Sequence, residues 1–168
     1  MPSPLRPDPG NAAQELAALR PALRLAVHRL RQQNRGRLFP WLLHVGGLDG
    51  DDRSFSVTDP GRVDAGLRLD LCFALLGHCE EPGALIWITR PGDVEVTATD
   101  LAWLQSAWGA SRDLGRPLSP ALVVTKSGWA APFSGEQMQW QRLRIRSRVV
   151  PSQPDQACTG SLECINSR

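Results

Sequence analysis

The residues of this 168-residue chain best suited to chemistry follow three short apolar runs. Residues 40–45 run into Gly46, Gly47, Leu48 and Asp49. Residues 84–88 run into Thr89, Arg90, Pro91, Gly92 and Asp93, and residues 121–124 into Thr125, Lys126, Ser127 and Gly128. If the runs are parallel strands joined by right-handed crossovers, all three polar ends meet at one edge of one sheet. Open α/β sheets hold their ligands at that edge. There Arg90 and Lys126 would bring positive charge, Ser127 a hydroxyl, and Gly46 and Gly47 accessible backbone amides. That is the chemistry of a phosphate or carboxylate site. The expected ligand-binding set is therefore Gly46, Gly47, Arg90, Lys126 and Ser127. Neither G-x-x-x-x-G-K-[ST] nor G-x-G-x-x-G occurs, so no nucleotide fingerprint accompanies it. Strand ends are polar in any protein, so the pattern locates a site without naming a reaction.

Catalysis has weaker support. Asp49, Asp51, Asp52 and Asp93 could offer oxygen ligands to a hard cation, with Lys126 as an electrostatic stabiliser. The alternative reading is thus a small metal-dependent hydrolase or nuclease using Asp49, Asp93 and Lys126. The acid-x-Lys pairing of many nucleases is missing, because Val124 stands where the acid belongs. There is no G-x-S-x-G, and neither Cys72 nor Cys79 has an evident His or Asp partner. His44 inside an apolar strand and His78 at a helix end read as structural. In the leading reading no catalytic residue, metal or cofactor is assigned.

A third signal lies near the C-terminal end. Arg142, Arg144, Arg146 and Arg148 alternate with Leu143, Ile145, Ser147 and Val149. That period of two predicts an edge strand with a basic outer face, charged against aggregation. A helix over 136–144 fits nearly as well. The arginines could touch phosphates, and Trp129, following a polar turn, could stack on a base or anchor a protein partner. Nucleic acid is the less favoured partner, since a sequence pI near 8.5 is below that of a dedicated binder.

Composition agrees with one soluble domain. Apolar residues make up 42% and charged residues 21%, the proportions of an ordinary globular chain. No apolar run reaches the roughly 20 residues of a membrane span, and no secretory signal is evident, so the expected compartment is the cytoplasm. The four cysteines have no zinc or redox spacing. Charge is uneven. Residues 1–40 carry seven Arg against two acids, residues 41–110 four Arg against eleven acids, and residues 111–168 eight bases against four acids. Such a layout neutralises itself on folding or leaves a basic patch for an acidic partner. Lys126 is the single lysine among nineteen basic residues.

The elements needed to position these groups can be read in order. Residues 1–10 form a Pro-rich arm. Asn11 with Gln14 resembles a capping box, opening a basic amphipathic helix in which Pro21 predicts a kink. Phe55 and Val57 suggest a short extra strand after a loop over 48–53. Asp59-Pro60 predicts a helix start, and Val63, Leu67, Leu71 and Leu75 one helical face. Thr97 and Asp100 form a second capping box. Residues 128–135 read as a turn or lid-like loop, and residues 151–168 as a disordered tail.

Residues 87–93, 100–104, 123–129 and 140–144 (WITRPGD, DLAWL, VVTKSGW and WQRLR) resemble a group of small actinobacterial α/β proteins of unknown function. The resemblance spans roughly residues 40–146. It implies a compact family fold and carries no activity. Where Arg is expected at position 126 in such proteins, this chain has Lys.

Together these readings predict a single α/β domain over residues 11–150. It has a small, mainly parallel sheet of three to four strands, flanking helices and an antiparallel basic edge strand at the C-terminal end. Its expected role is a non-catalytic binding or regulatory module for an anionic ligand or acidic partner. The metal-dependent hydrolase and a purely structural protein-interaction module are the alternatives.

Overall fold

A computed structural model describes residues 9–79, 84–116 and 120–143, with side chains from residue 13 onward within these segments. The chain is α/β. Helix α1 (Pro9–Gln33) precedes the hairpin β1 (Trp41–Gly46) and β2 (Asp52–Val57). Then come α2 (Ala65–Gly77), β3 (Leu85–Thr89), α3 (Ala98–Asp113), β4 (Ala121–Val124), β5 (Gly128–Ala131) and β6 (Glu136–Gln139). The strands form one six-stranded sheet in the order β2-β1-β3-β4-β5-β6.

The sheet is mostly antiparallel, which corrects the expected mainly parallel arrangement of three to four strands. Only β3 and β4 are parallel neighbours; β1 is antiparallel to both β2 and β3. The reason lies in β2. Residues 48–53 were expected to be loop, but pairing begins at Asp52, opposite Gly46. The hairpin reverses the chain before α2, so the strands that α2 links in parallel directions are β2 and β3, with β1 inserted between them. The C-terminal ends of β2, β3 and β4 therefore share one end of the sheet, hereafter the crossover end. The C-terminal end of β1 lies at the other, the hairpin end.

Side-chain alternation splits the core into two layers. Trp41, Leu43, Val45, Ile86, Ile88 and Val123 face α2 and α3, where Trp103 and Leu104 are fully buried. Trp87, Leu122, Val124 and Trp129 face Leu16, Leu23, Val27 and Leu30 of α1. Strands β3, β4 and β5 are buried at every position because both faces are covered. Strand β2 is exposed at Arg53, Ser54, Phe55 and Ser56.

Local signals explain most boundaries. Thr97 and Asp100 form the predicted reciprocal capping box on α3. Helix α2 starts five residues later than Pro60: Asp59 and Pro60 form a turn, and Asp64 caps the helix by accepting from Leu67 N at 3.0 Å. The buried positions of α2 are Cys72 and Leu76, whereas Leu67 is 48% exposed. Helix α1 begins at Pro9, ahead of the expected Asn11 cap, and continues through Pro21. Residues 128–131 are strand rather than loop. Gly128 permits this, since a Cβ there would lie 1.9 Å from Met138 O on β6. The segment with two readings, 136–146, begins as strand β6. The predicted basic edge strand falls largely beyond residue 143, outside the described residues, as do most of the expected arm and the tail. Among the described residues no helix is long and apolar enough to cross a membrane.

Candidate functional site

The antiparallel β1 disperses the predicted anion site. Gly46 pairs with Leu85 at the start of β3, while Leu42 pairs with Thr89 at its end. Gly46 is thus level with Leu85, five residues from Arg90, and lies roughly 16 Å along the strand from it at about 3.3 Å per residue, with Gly47 further still. They serve the hairpin. Gly46 has φ +131°, and a Cβ on it would approach Asp51 O to 2.6 Å. Gly47 N donates to Asp51 O at 2.9 Å.

Arg90 is at the crossover end as expected, but its donors are spent. Its Nε donates to both carboxylate oxygens of Asp100 at 3.0 and 2.9 Å. One terminal nitrogen donates to the carbonyls of Pro91 and Asp93, and the other to Glu95 O at 2.5 Å, with Asp100 Oδ2 at 2.9 Å. Arg90 is 8% exposed and Asp100 fully buried. An arginine has five N–H donors in a rigid fork, and here the fork moulds the β3–α3 connection. Asp100 also accepts from Thr97 N at 2.8 Å, so the capping box and the ion pair share one carboxylate.

Lys126 turns toward the opposite face. Its ammonium donates to the carbonyls of Asn34 and Gly36, just past the C-terminal end of α1, and sits 5.2 Å from the centroid of the Phe39 ring. A cation there complements the helix dipole and satisfies carbonyls that the helix leaves unpaired. Arg31 completes the junction: Nε donates to Lys126 O at 2.5 Å and Nη2 to Trp140 O at 2.7 Å. Trp140 N donates to Ser127 O at 2.7 Å. Ser127 itself bonds Thr125 Oγ1 at 2.9 Å inside the β4–β5 turn. Residues 34–37, 126–127 and 140–142 are thereby gathered at one place.

That place is basic. Arg35, Arg37 and Arg142 are exposed there, beside Arg31 and Lys126, and residues 31–38, 125–128 and 139–143 contain no Asp or Glu. Of the expected partner surface, Arg142 is exposed, whereas Arg144, Arg146 and Arg148 lie outside the described residues. Trp129 is a correction. It is 1% exposed and packs in the α1 core layer, because the alternation of β5 points it inward. The exposed aromatic pair is instead Trp108 with Phe133, ring centroids 5.1 Å apart.

The alternative catalytic set does not converge either. Asp49 sits in the hairpin turn, accepting from Asp51 N at 3.3 Å, at the hairpin end. Asp93 and Lys126 are at the crossover end. Among the described residues no group of three or more His, Cys, Asp or Glu could hold a metal ion. Cys72 and Cys79 are buried free thiols, and burial pushes the Cys72 thiol up to about 12 despite the opposing charge of Arg68. Such a thiol is not a nucleophile at neutral pH.

One polar constellation has no counterpart in the sequence reading. His44 Nδ1 meets Asp52 Oδ2 at 2.7 Å, Nε2 meets Thr89 Oγ1 at 2.8 Å, and the ring stacks on Trp87 with centroids 4.9 Å apart. With Nδ1 donating to the Asp52 carboxylate, Nε2 accepts from the Thr89 hydroxyl. Burial lowers the pKa of His44, and Asp52 opposes that shift through its hydrogen bond and charge. A neutral imidazole between a carboxylate and a hydroxyl is the order of a nucleophile-activating relay. Thr89, however, is only 6% exposed, and the amide after it, Arg90 N, is committed to Val124 O. The relay therefore clamps β2, β1 and β3 together. Its signal in the sequence is the single polar residue in β1, but finding Asp52 required the hairpin register.

No protein-family model, no curated protein and no solved structure matches this chain.

Proposed function

We propose that the protein is a non-catalytic binding module that docks an acidic partner on the basic patch where the end of α1, the β4–β5 turn and the end of β6 meet. One observation carries this reading. Arg31 and Lys126 fasten the end of α1 to the β4–β5 turn and to Trp140. The exposed Arg35, Arg37 and Arg142 thus share a neighbourhood free of carboxylates in its own segments. The position is near the strand ends expected from the sequence, but the residues differ. Arg90 is consumed internally, and Gly46 and Gly47 are at the far end.

The chemistry favours an extended acidic surface over a small anion. Lys126 and Arg31 already donate to backbone carbonyls, so a single phosphate meets no convergent set of free donors. Three exposed guanidinium groups spread over neighbouring segments suit a row of carboxylates, each contact modest and screened by salt.

Polyglutamate is the probe that tests this. Wild type binds it at low ionic strength, and binding weakens as salt rises. The Arg35→Glu/Arg37→Glu/Arg142→Glu variant loses at least tenfold in affinity with an unchanged thermal midpoint. Equal binding by wild type and variant removes this surface from the function. Stronger binding of single-stranded DNA than of polyglutamate would move the reading to nucleic acid, and inorganic phosphate that competes at low concentration would restore a small-anion site.

A further inference from the structure

Among the described residues, the hairpin strand β2 ends the sheet with no strand on its outer edge. It pairs with β1 over six consecutive positions without a bulge. It contains no proline and no lysine, and four of its six residues are exposed. Its two charges, Asp52 and Arg53, are of opposite sign, so the edge carries no net charge to repel another strand. The opposite edge strand, β6, is more polar, and its Glu136 is held by Arg20 at 3.0 Å.

We propose that β2 is a homodimer interface, pairing antiparallel with β2 of a second copy about a two-fold axis through Ser54. A two-fold contact must be self-complementary, and this register is. It sets Ser54 against Ser54 of the second copy. Arg53 faces Phe55 of the second copy, and Phe55 faces its Arg53. On the other side of the sheet Asp52 faces Ser56, again twice. Arg53 and Phe55 alternate onto the side of Leu43, which is opposite Phe55 in the hairpin. This is the side of α2, so both copies bring α2 to the same side of the continuous twelve-stranded sheet. Phe55 is 41% exposed, and the dimer covers it. A guanidinium against an aromatic face and a hydroxyl beside a carboxylate are each favourable cross-strand pairs. Asp52 can accept from serine because His44 engages only its Oδ2. The second copy is preferred to an unrelated strand because these side-chain matches come from β2 itself, in one register.

Sedimentation equilibrium of the full chain across a concentration series tests the dimer. Wild type approaches twice the 18.4 kDa chain mass at high concentration. Arg53→Glu and Phe55→Arg each hold the protein at the monomer mass, with unchanged far-ultraviolet circular dichroism, since both positions are exposed. The Arg53→Glu/Phe55→Arg double variant dimerises again, because the new opposite charges face one another only in this register. A wild type that stays monomeric at every concentration overturns the proposal. So does a dimer indifferent to both single substitutions, or a double variant that remains monomeric. Slow exchange of the outward amides of Ser54 and Ser56 in a monomer would mean that another segment of the same chain covers the edge, which also overturns it.

Discussion

Arg90 and Lys126 mark the two ends of one chemical question: whether a basic side chain at a strand end awaits a ligand or serves the fold. Both serve the fold, on opposite faces of the sheet. Arg90 follows Thr89, whose side chain faces the α1 layer, so Arg90 points toward α3 and meets Asp100. Lys126 is two residues past Val124 and shares its α1 side. The sequence singled out both residues and recognised Asp100 as part of a capping box. It did not reveal that one carboxylate serves box and arginine together, because that pairing depends on where α3 lies over β3. His44 makes a prediction at this scale. Burial depresses its pKa below the ordinary 6.5, so the unfolded chain binds the proton more readily. The contribution to stability is complete above the unfolded value and is lost as pH falls from there through the folded one. Urea unfolding of wild type should lose free energy below about pH 6.5, and the His44→Gln variant should show a shallower slope over the same range. Equal slopes would mean that His44 does not report the folding equilibrium.

At the level of elements, the readable features were those with local causes. The strands at 41–46, 85–89 and 121–124, the helix after Thr97 and the extra strand near Phe55 and Val57 all announced themselves through apolar runs, caps and turn residues. What failed was direction. Treating Phe55 and Val57 as a minor addition left β1 parallel to β3, and a single hairpin reversal undid the convergence of three strand ends. Two further misses share a cause. Asp59-Pro60 and Asp64 are both sound helix starts, and only the tertiary contact from Trp103 Nε1 to Pro60 O, at 3.0 Å, goes with the turn at the first. Trp129 follows a polar turn, but the turn is tight enough to return the chain into the sheet as β5. The hairpin can be tested directly. Gly46→Ala forces a side chain into φ +131° and against Asp51 O, so it should cost about 1–3 kcal/mol in urea unfolding. A neutral substitution would mean that the β1–β2 connection relaxes without strain.

The acid-rich central third is divided between the two ends of the sheet: Asp49, Asp51 and Asp52 lie at the hairpin end, and Asp64, Asp93 and Asp100 at the start of the helices of the α2–α3 layer, at the crossover end. The basic N-terminal third ends beside Lys126 and Arg142, which Arg31 and Lys126 itself tie to the end of α1. Uneven charge along the chain was visible in the sequence. That Arg35 and Arg37 lie beside Lys126 and Arg142 was not, because it depends on where α1 ends relative to the β4–β5 turn. The most direct measurement of the central claim is a polyglutamate titration of ¹⁵N-labelled protein followed amide by amide. The expected shifts concentrate in residues 31–38, 125–128 and 139–143 and fade as salt is added. Shifts centred instead on Gly46 and Gly47 at the hairpin end, or spread evenly over the surface, would contradict it.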